Sequence, residues 1–252
     1  MSPAMVSPLT AIAALLVGAL VGLTGIGGVF LVPLLLVVEG RPVHQVVGTL
    51  LLSFACAQTV GVGLYAQRGA IDWRTTLWLC AGAVPCAPTG AALSTALHPG
   101  LLRWLLAGFL ALAGARILYD ALWPAAAPPP RQRQLPSPLL VALGALIGLA
   151  AGLLGVGGPI LLGPLLLMLG IPVATAVGIN QVIGLVSSAA GAAGHLWLGD
   201  VDVALALVLT GCLLVGIGIG AQLARWLRPA RLRSLLGLVC LAVAPLVGLS
   251  AR

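Results

Sequence analysis

The sequence contains very little charge for its length. Of its 252 residues only 7% are Asp, Glu, Lys or Arg, and none is lysine, whereas a soluble domain carries about a quarter of its residues as charged side chains. So few charges cannot cover a surface that faces water, which excludes a soluble enzyme, a nucleic-acid-binding protein and a disordered scaffold. The net charge of +7 comes from twelve arginines, most of which lie in short connections between apolar runs. Arginines in such places indicate orientation in a membrane, so no nucleic-acid partner is expected.

The sequence also lacks the motifs of common catalytic and nucleotide-binding sites. It has no His-Glu-x-x-His, no Gly-x-Ser-x-Gly, no Walker-type loop and no pair of carboxylates deep in an apolar run. We therefore predict that the chain is not an enzyme and needs neither a cofactor nor a metal. The five cysteines lie in apolar segments without Cys-x-x-Cys spacing, which is typical of small core residues.

Long apolar runs are what the chain has in abundance. Apolar residues make up 61% of the sequence, and the mean hydropathy is +1.18. Six of the runs reach or approach the roughly 20 residues that a helix needs to cross a bilayer. The pattern predicts an all-α integral membrane protein that crosses the membrane many times. The runs cover residues 9–24, 29–38, 43–66, 74–97, 101–122, 139–154, 159–170, 174–197, 203–225 and 234–250.

The chain contains an internal repeat at an offset of 130 residues. Chance rarely aligns glycines, prolines, aspartates and arginines in such an apolar composition, so these matches are the informative ones. They include Gly22 with Gly152, Pro42 with Pro172, Asp72 with Asp202 and Arg103 with Arg233. We predict a first transmembrane repeat over 1–123, a proline-rich cytoplasmic linker over 124–138 and a second repeat over 139–252.

The distribution of arginines bears on how the two repeats are oriented. If the first two apolar runs of each half form one span, the arginines divide six against six between the two sides. If that pair reverses direction, each half has five helical elements and the division becomes nine against three. Cytoplasmic loops are enriched in arginine, so the second arrangement fits better. We predict inverted repeats, with both termini outside and the linker in the cytoplasm.

A glycine cluster interrupts the first pair of runs in each half. The clusters are Gly25-Ile-Gly27-Gly28 and Gly155-Val-Gly157-Gly158. Glycine disfavours a helix, so each pair is expected to be broken or re-entrant there, and a half-helix that starts at membrane depth presents free N–H groups to an anion. We predict that the two clusters meet near the midplane and bind a small anionic group. The alternative is that these glycines only allow helices to pack closely.

Two segments of the chain resemble the repeated signature of the TauE/SafE sulfite exporter family. They are Gly22-Leu-Thr-Gly-Ile-Gly-Gly-Val-Phe-Leu-Val-Pro33 and Gly152-Leu-Leu-Gly-Val-Gly-Gly-Pro-Ile-Leu-Leu-Gly-Pro164. Val47-Gly48-Thr49-Leu50-Leu51 is similar to the Gly-Thr-Ser block that follows each signature in the family. The resemblance implies a bacterial inner-membrane permease for sulfite, organosulfonates or related anions. The second half departs from the pattern with Gly178-Ile-Asn-Gln181, so the halves are not expected to contact the substrate equally.

Polar residues early in the span after each broken pair are candidates for substrate binding. Thr49 and Ser53 follow Gly48, and Asn180 and Gln181 follow Gly178. Hydroxyls and amides can donate to anionic oxygens without adding charge. The alternative is that the hydroxyls bond to their own helix. His195 could relay protons, although a histidine near the end of a span is more often structural.

Three functional classes remain to be compared. A secondary carrier fits best, because inverted repeats with interrupted helices are typical of such transporters. The family resemblance implies that it exports a sulfur-containing anion. An anion channel, or a permease for another small carboxylate or inorganic anion, is the alternative. A membrane-embedded enzyme lacks the groups it would need. The partners are then a small anionic substrate and the lipid bilayer, while the coupling ion is unknown and a homodimer is left open.

Overall fold

A computed structural model describes residues 7–25, 28–122, 135–155 and 171–224, together with Leu162 and Leu166. The described part contains eight α-helices and a short 3-10 helix, Gly28–Phe30, and it contains no strand. The helices are α1 Pro8–Thr24, α2 Leu31–Val37, α3 Val43–Gln67, α4 Trp73–Ala96, α5 Pro99–Leu122, α6 Ser137–Leu154, α7 Val173–Leu198 and α8 Val203–Leu223.

The helices begin and end within about two residues of the apolar runs read from the sequence. Five of those described, α3, α4, α6, α7 and α8, are long and apolar enough to cross a membrane. The chain is thus an all-helical, multi-pass membrane protein, as predicted. An α-helix satisfies its own backbone hydrogen bonds, which lipid cannot do, so apolar runs of this length fold this way. The runs 159–170, apart from two leucines, and 234–250 lie outside the described residues.

At glycine positions, helices of the first half pack closely against helices of the second half. On α1, Gly18 lies against Leu213 and Gly22 lies against Ile217, so α1 runs parallel to α8. A Cβ added to Gly22 would collide with the Ile217 carbonyl oxygen, so a side chain would force the backbones apart.

The same contact recurs between α4 and α6, where Gly144 lies against Leu79 and Gly152 against Ala87. The first helix of each half therefore packs on α4 or α8 of the other half, and α4 and α8 are repeat mates. Close packing of small residues is a main source of helix association in lipid, so these two seams hold the halves together.

Helices α3 and α7 form the centre of the bundle. In the most apolar 18 residues of these two helices, 67% and 72% of the residues are buried, whereas the corresponding share is 33–39% in α4, α6 and α8. Gly48 near the start of α3 lies against His195 and Asp200 at the end of α7, and Gly178 near the start of α7 lies against Ala70 beyond the end of α3. The two central helices, which are repeat mates, therefore run antiparallel.

Helix α1 and the segment that follows it form a hairpin. The Glu39 carboxylate, which lies just beyond α2, accepts hydrogen bonds from the Thr10 hydroxyl at 2.7 Å and the Ser7 amide at 3.3 Å. The chain therefore returns after α2 to the end at which α1 began. The Thr10 hydrogen bond is the main reason why the pKa of Glu39 lies below its usual value.

An ion pair joins the halves at this end of the bundle. The Arg41 guanidinium lies 2.9 Å from the Asp202 carboxylate at the start of α8. Asp202 also accepts a hydrogen bond from the Leu205 amide at 3.0 Å and so caps α8. Helix α6 begins at Ser137, so the last two residues of the predicted linker already belong to a helix.

Candidate functional site

Both glycine clusters coincide with the end of a helix. Helix α1 stops at Gly25, with φ of +73°, and α6 stops at Gly155, with φ of +67°. Only glycine adopts this left-handed conformation without strain, which explains why glycine stands at both positions. Each amide closes the last turn of its helix, on Val21 at 2.8 Å and on Ala151 at 2.9 Å.

The remaining glycines of the clusters are only partly described. Gly28 is buried and opens the 3-10 helix that leads into α2. Gly27, Gly157 and Gly158 lie outside the described residues. A role of these four glycines in substrate binding stays a prediction.

We call the end of α1 at Gly25 the first break and the end of α6 at Gly155 the second break. Asn180 of α7 lies directly beside the first break. A Cβ added to Gly25 would lie 2.8 Å from the Asn180 Cβ and 3.3 Å from its Nδ2. The Asn180 side chain is buried, and neither its Nδ2 nor its Oδ1 has a hydrogen-bond partner among the described residues. A buried amide without partners costs about 1–3 kcal/mol. Such a cost marks the amide as a candidate ligand-binding group.

The neighbouring Gln181 is partly used by the structure itself. Its Nε2 donates to the Val21 carbonyl oxygen at 2.9 Å, so it holds the last turn of α1. Its Oε1 has no partner among the described residues and lies where a side chain on Gly61 would be. Gln181 therefore positions the first break, and only its carbonyl oxygen is left for another contact.

A tyrosine on α3 completes the support of the first break. The Tyr65 hydroxyl donates to the Gly22 carbonyl oxygen at 3.1 Å. The Arg68 guanidinium lies over the same ring, 5.1 Å from its centroid. The tip of α1 is thus held from α3 and α7 at once, and a cation lies next to it.

The second break has different neighbours. The backbone of Gly155 lies against Val47 of α3, and the His195 Nε2 lies 3.0 Å from the Gly152 carbonyl oxygen. The repeat mates of Asn180 and Gln181 are Leu50 and Leu51, which are fully buried. The second break therefore has apolar side chains where the first has two amides.

Thr49 and Ser53 already have partners. The Thr49 hydroxyl accepts from the Asp202 amide at 3.0 Å, and the Ser53 hydroxyl donates to the Thr49 carbonyl oxygen at 2.8 Å. Both side chains are buried between α3 and the start of α8. Their hydrogen bonds serve helix packing in this conformation, and their predicted contact with substrate stays a prediction.

The two breaks do not meet in this conformation. Gly25 lies at Asn180, early in α7, whereas Gly155 lies at Val47, early in α3. Because these helices are antiparallel, the breaks lie toward opposite ends of the central pair. Gly61, which marks the level of the first break, is about 20 Å from Val47 at 1.5 Å per residue. Gly25 and Gly155 are therefore not brought together, whereas Gly27, Gly157 and Gly158 of the predicted midplane pocket lie outside the described residues. Among the described residues, the first break with Asn180 is the better candidate site.

Two features of the site were missed in the sequence. The glycine seams are visible there as glycines four residues apart, such as Gly18 and Gly22 or Gly216 and Gly220. The role of Tyr65 is visible only once it is aligned with His195, its repeat mate. No sequence signal shows that Asn180 lacks a partner while Gln181 has one.

Comparisons with known proteins agree with this architecture. A family model described as "Sulfite exporter TauE/SafE" matches residues 10–246. The "Probable membrane transporter protein YdhB" of Bacillus subtilis strain 168 is 28% identical over 211 residues, which are 82% of this chain and 86% of that protein. "Probable membrane transporter protein YjnA" of the same organism is 29% identical over 153 residues, 57% of this chain and 60% of that protein. No solved structure matches the chain.

Proposed function

The chain belongs to the sulfite exporter TauE/SafE family and is a membrane transporter, and we propose that it exports a small sulfur-containing anion by alternating access. Sulfite and an organosulfonate such as sulfoacetate are the proposed substrates, and the bacterial inner membrane fits as the location. The observation that carries the proposal is the unpartnered Asn180 amide beside Gly25. An anionic oxygen there would accept from Nδ2 and remove the cost of leaving this donor unpaired.

The electrostatics of the first break suit an anion. Neither α1 nor α7, the two helices that meet at Gly25, contains an aspartate or a glutamate. The nearby Arg68 has no carboxylate partner among the described residues. A small anion would meet an amide donor and a cation, and no carboxylate of these two helices would repel it.

The helix arrangement supports inverted repeats and a carrier mechanism. Repeat mates α3 and α7 run antiparallel, as they would if the halves were related by an axis in the membrane plane. The hairpin closed by Glu39 supports a first pair of elements that reverses direction. Motion of one glycine-joined pair, α1–α8 or α4–α6, against the central helices would then open the site to one side at a time.

The direction of transport is proposed from charge. Arg68 lies at the end of α3 and Arg74 in the first turn of α4, so both lie on one side of the bundle. Helix α6 begins on the same side, because it runs parallel to α4. The positive-inside rule makes this side cytoplasmic. Arg41 lies on the other side and is neutralised by Asp202. Anions entering from the cytoplasm would meet the unpaired Arg68 first, and the negative interior of a cell favours their exit.

The first experiment asks for the substrate. The purified protein is heated with sulfite, sulfoacetate, taurine, isethionate, thiosulfate or sulfate, with acetate and chloride as controls. A ligand that binds the folded state raises the melting temperature. We expect sulfur-containing anions to do so, whereas stabilisation by acetate alone would favour a carboxylate permease.

The second experiment separates a carrier from a channel. Proteoliposomes loaded with the stabilising anion are diluted into labelled anion, and the accumulation of label is followed. A carrier gives saturable counterflow, whereas a channel gives none. Failure of all six sulfur compounds both to bind and to move would contradict the proposed function.

A further inference from the structure

The two halves place different residues at one equivalent position. Tyr65 and His195 are repeat mates, and each bonds to the carbonyl oxygen of an equivalent glycine, Gly22 or Gly152, in the last turn of a helix. A phenol stays neutral near physiological pH, whereas an imidazole gains or loses a proton there. The same structural bond is therefore made by a group that cannot titrate in one half and by one that can in the other.

The hydrogen bond determines where the proton of the neutral ring lies. The Gly152 carbonyl can only accept, so the His195 Nε2 at 3.0 Å must donate. The Nδ1 nitrogen then carries a free lone pair. The ring is fully buried, and Nδ1 has no partner among the described residues. His195 thus presents a basic nitrogen in a dry part of the bundle.

Other ionisable residues lie around the ring. A Cβ added to Gly48 of α3 would lie 2.8 Å from the His195 Cβ, and His44 lies one turn earlier on the same face of α3. The amide of Asp200, just after α7, donates to the His195 carbonyl oxygen at 3.0 Å. The His44 Nδ1 is buried and has no partner among the described residues either.

The remaining neighbours carry no free charge. Asp202, at the start of α8, is paired with Arg41. The described part of α6 contains no ionisable residue. From α4, Pro88 and Ala91 lie against the same end of α7. His44 and Asp200 are therefore the described ionisable residues at this end of α7 that are not part of an ion pair.

We propose that His195 is the proton-binding site of the transporter, with Nδ1 taking up the proton. The proposal rests on the proposed carrier function, because it supplies the coupling ion of that cycle. A charged ring would hold a second N–H without an acceptor, which disfavours this conformation. Withdrawal of the α6 tip would bring water to the ring. Proton uptake and opening at the second break are thereby linked.

The test uses a variant that copies the other half of the molecule. His195→Tyr keeps a hydroxyl that can donate to Gly152, as Tyr65 does to Gly22, but removes the basic nitrogen. Wild type and variant are reconstituted with a pH-sensitive dye inside the vesicles, and uptake of labelled isethionate, whose charge does not change near neutral pH, is measured. His98→Gln is the control, since His98 is an exposed histidine in the loop before α5.

We expect wild-type uptake to change several-fold between about pH 5.5 and 8, on either side of the ordinary histidine value, and the dye to report proton movement that is coupled to anion uptake. His195→Tyr should transport with a flat pH profile and no proton movement, whereas His98→Gln should behave as wild type. A flat wild-type profile, or an unchanged profile in His195→Tyr, would overturn the proposal. If His195→Tyr does not fold, His195→Gln replaces it, since its amide can donate to the same carbonyl.

A second readout does not depend on transport. Wild type should lose thermal stability in detergent as the pH falls from about 8 to 5.5, because protonation disfavours this conformation, and His195→Tyr should lose less. If isethionate is not transported at all, isethionate is not a substrate, and the transport assay cannot test the proton site. The pH dependence of thermal stability then decides whether His195 binds the proton. Identical pH dependence in wild type and His195→Tyr would then rule it out.

Discussion

The first and second glycine breaks share a backbone but not their side chains. Gly25 and Gly155 end their helices in the same left-handed conformation, and each helix is held through an equivalent carbonyl. At the first break the residue beside Gly25 is Asn180, whereas at the second the residue beside Gly155 is Val47, and the repeat mate of Asn180 is the apolar Leu50. The duplicated part is therefore the scaffold, and the chemistry differs between the halves. An anion site on one side and a proton site on the other are consistent with this division.

The largest expected effect comes from the seams, where the halves should behave alike. Gly90 and Gly220 are repeat mates, and a Cβ on either would collide with a carbonyl oxygen of the neighbouring helix, that of Leu149 or Ala19. We expect Gly90→Val and Gly220→Val to abolish the monodisperse peak in size-exclusion chromatography of the detergent-solubilised protein. Gly218→Val is the control, because nothing lies within 4 Å of a Cβ there. If only one mate is sensitive, the seams are not equivalent.

The next effect should distinguish the two ends of the bundle. Asp72 and Asp202 both cap helices, but only Asp202 has an arginine partner among the described residues. Asparagine also caps helices well, so Asp→Asn removes the charge and keeps the cap. We expect Asp202→Asn to lower stability by up to about 1 kcal/mol at low salt, as for a partly exposed ion pair, and less at high salt.

Asp72→Asn should show no salt-dependent loss of this kind. The measurement is thermal unfolding of both variants and wild type at low and high NaCl. An equal salt dependence at both positions would mean that the Arg41–Asp202 pair does not stabilise its end of the bundle.

Much of the fold could be predicted from the sequence because lipid leaves few alternatives. The apolar runs give the helix bounds, and the glycines give the positions where α1 and α6 end. Which helices pair depends on contacts that the sequence does not order, such as Gly22 on Ile217. The site was harder to predict. The sequence suggests that Thr49 contacts the substrate, but its hydroxyl already accepts a hydrogen bond from the amide of Asp202, 153 residues away.

The smallest effect concerns the Glu39 hairpin contact. The hydrogen bond from Thr10, together with those from Ser7, outweighs desolvation and holds the pKa of Glu39 below its ordinary value of 4.5. A lowered carboxyl pKa adds stability at neutral pH that is lost as the pH falls below about 4.5 toward the folded-state pKa. Between pH 7 and 4, the melting temperature of wild type should therefore fall slightly more than that of Glu39→Gln. An identical fall in both proteins would show that the contact contributes nothing measurable.

The central claim is that the Asn180 amide at the first break binds the transported anion. Asn180→Leu introduces the residue type of the repeat mate, Leu50, and removes the amide with little change in volume. We expect transport to fall about 10- to 100-fold, because losing a hydrogen bond to a charged oxygen costs about 1–3 kcal/mol. The anion should also no longer raise the melting temperature of the variant. The variant without ligand should be as stable as wild type or more so. Wild-type transport and an undiminished ligand-induced shift in Asn180→Leu would contradict the account.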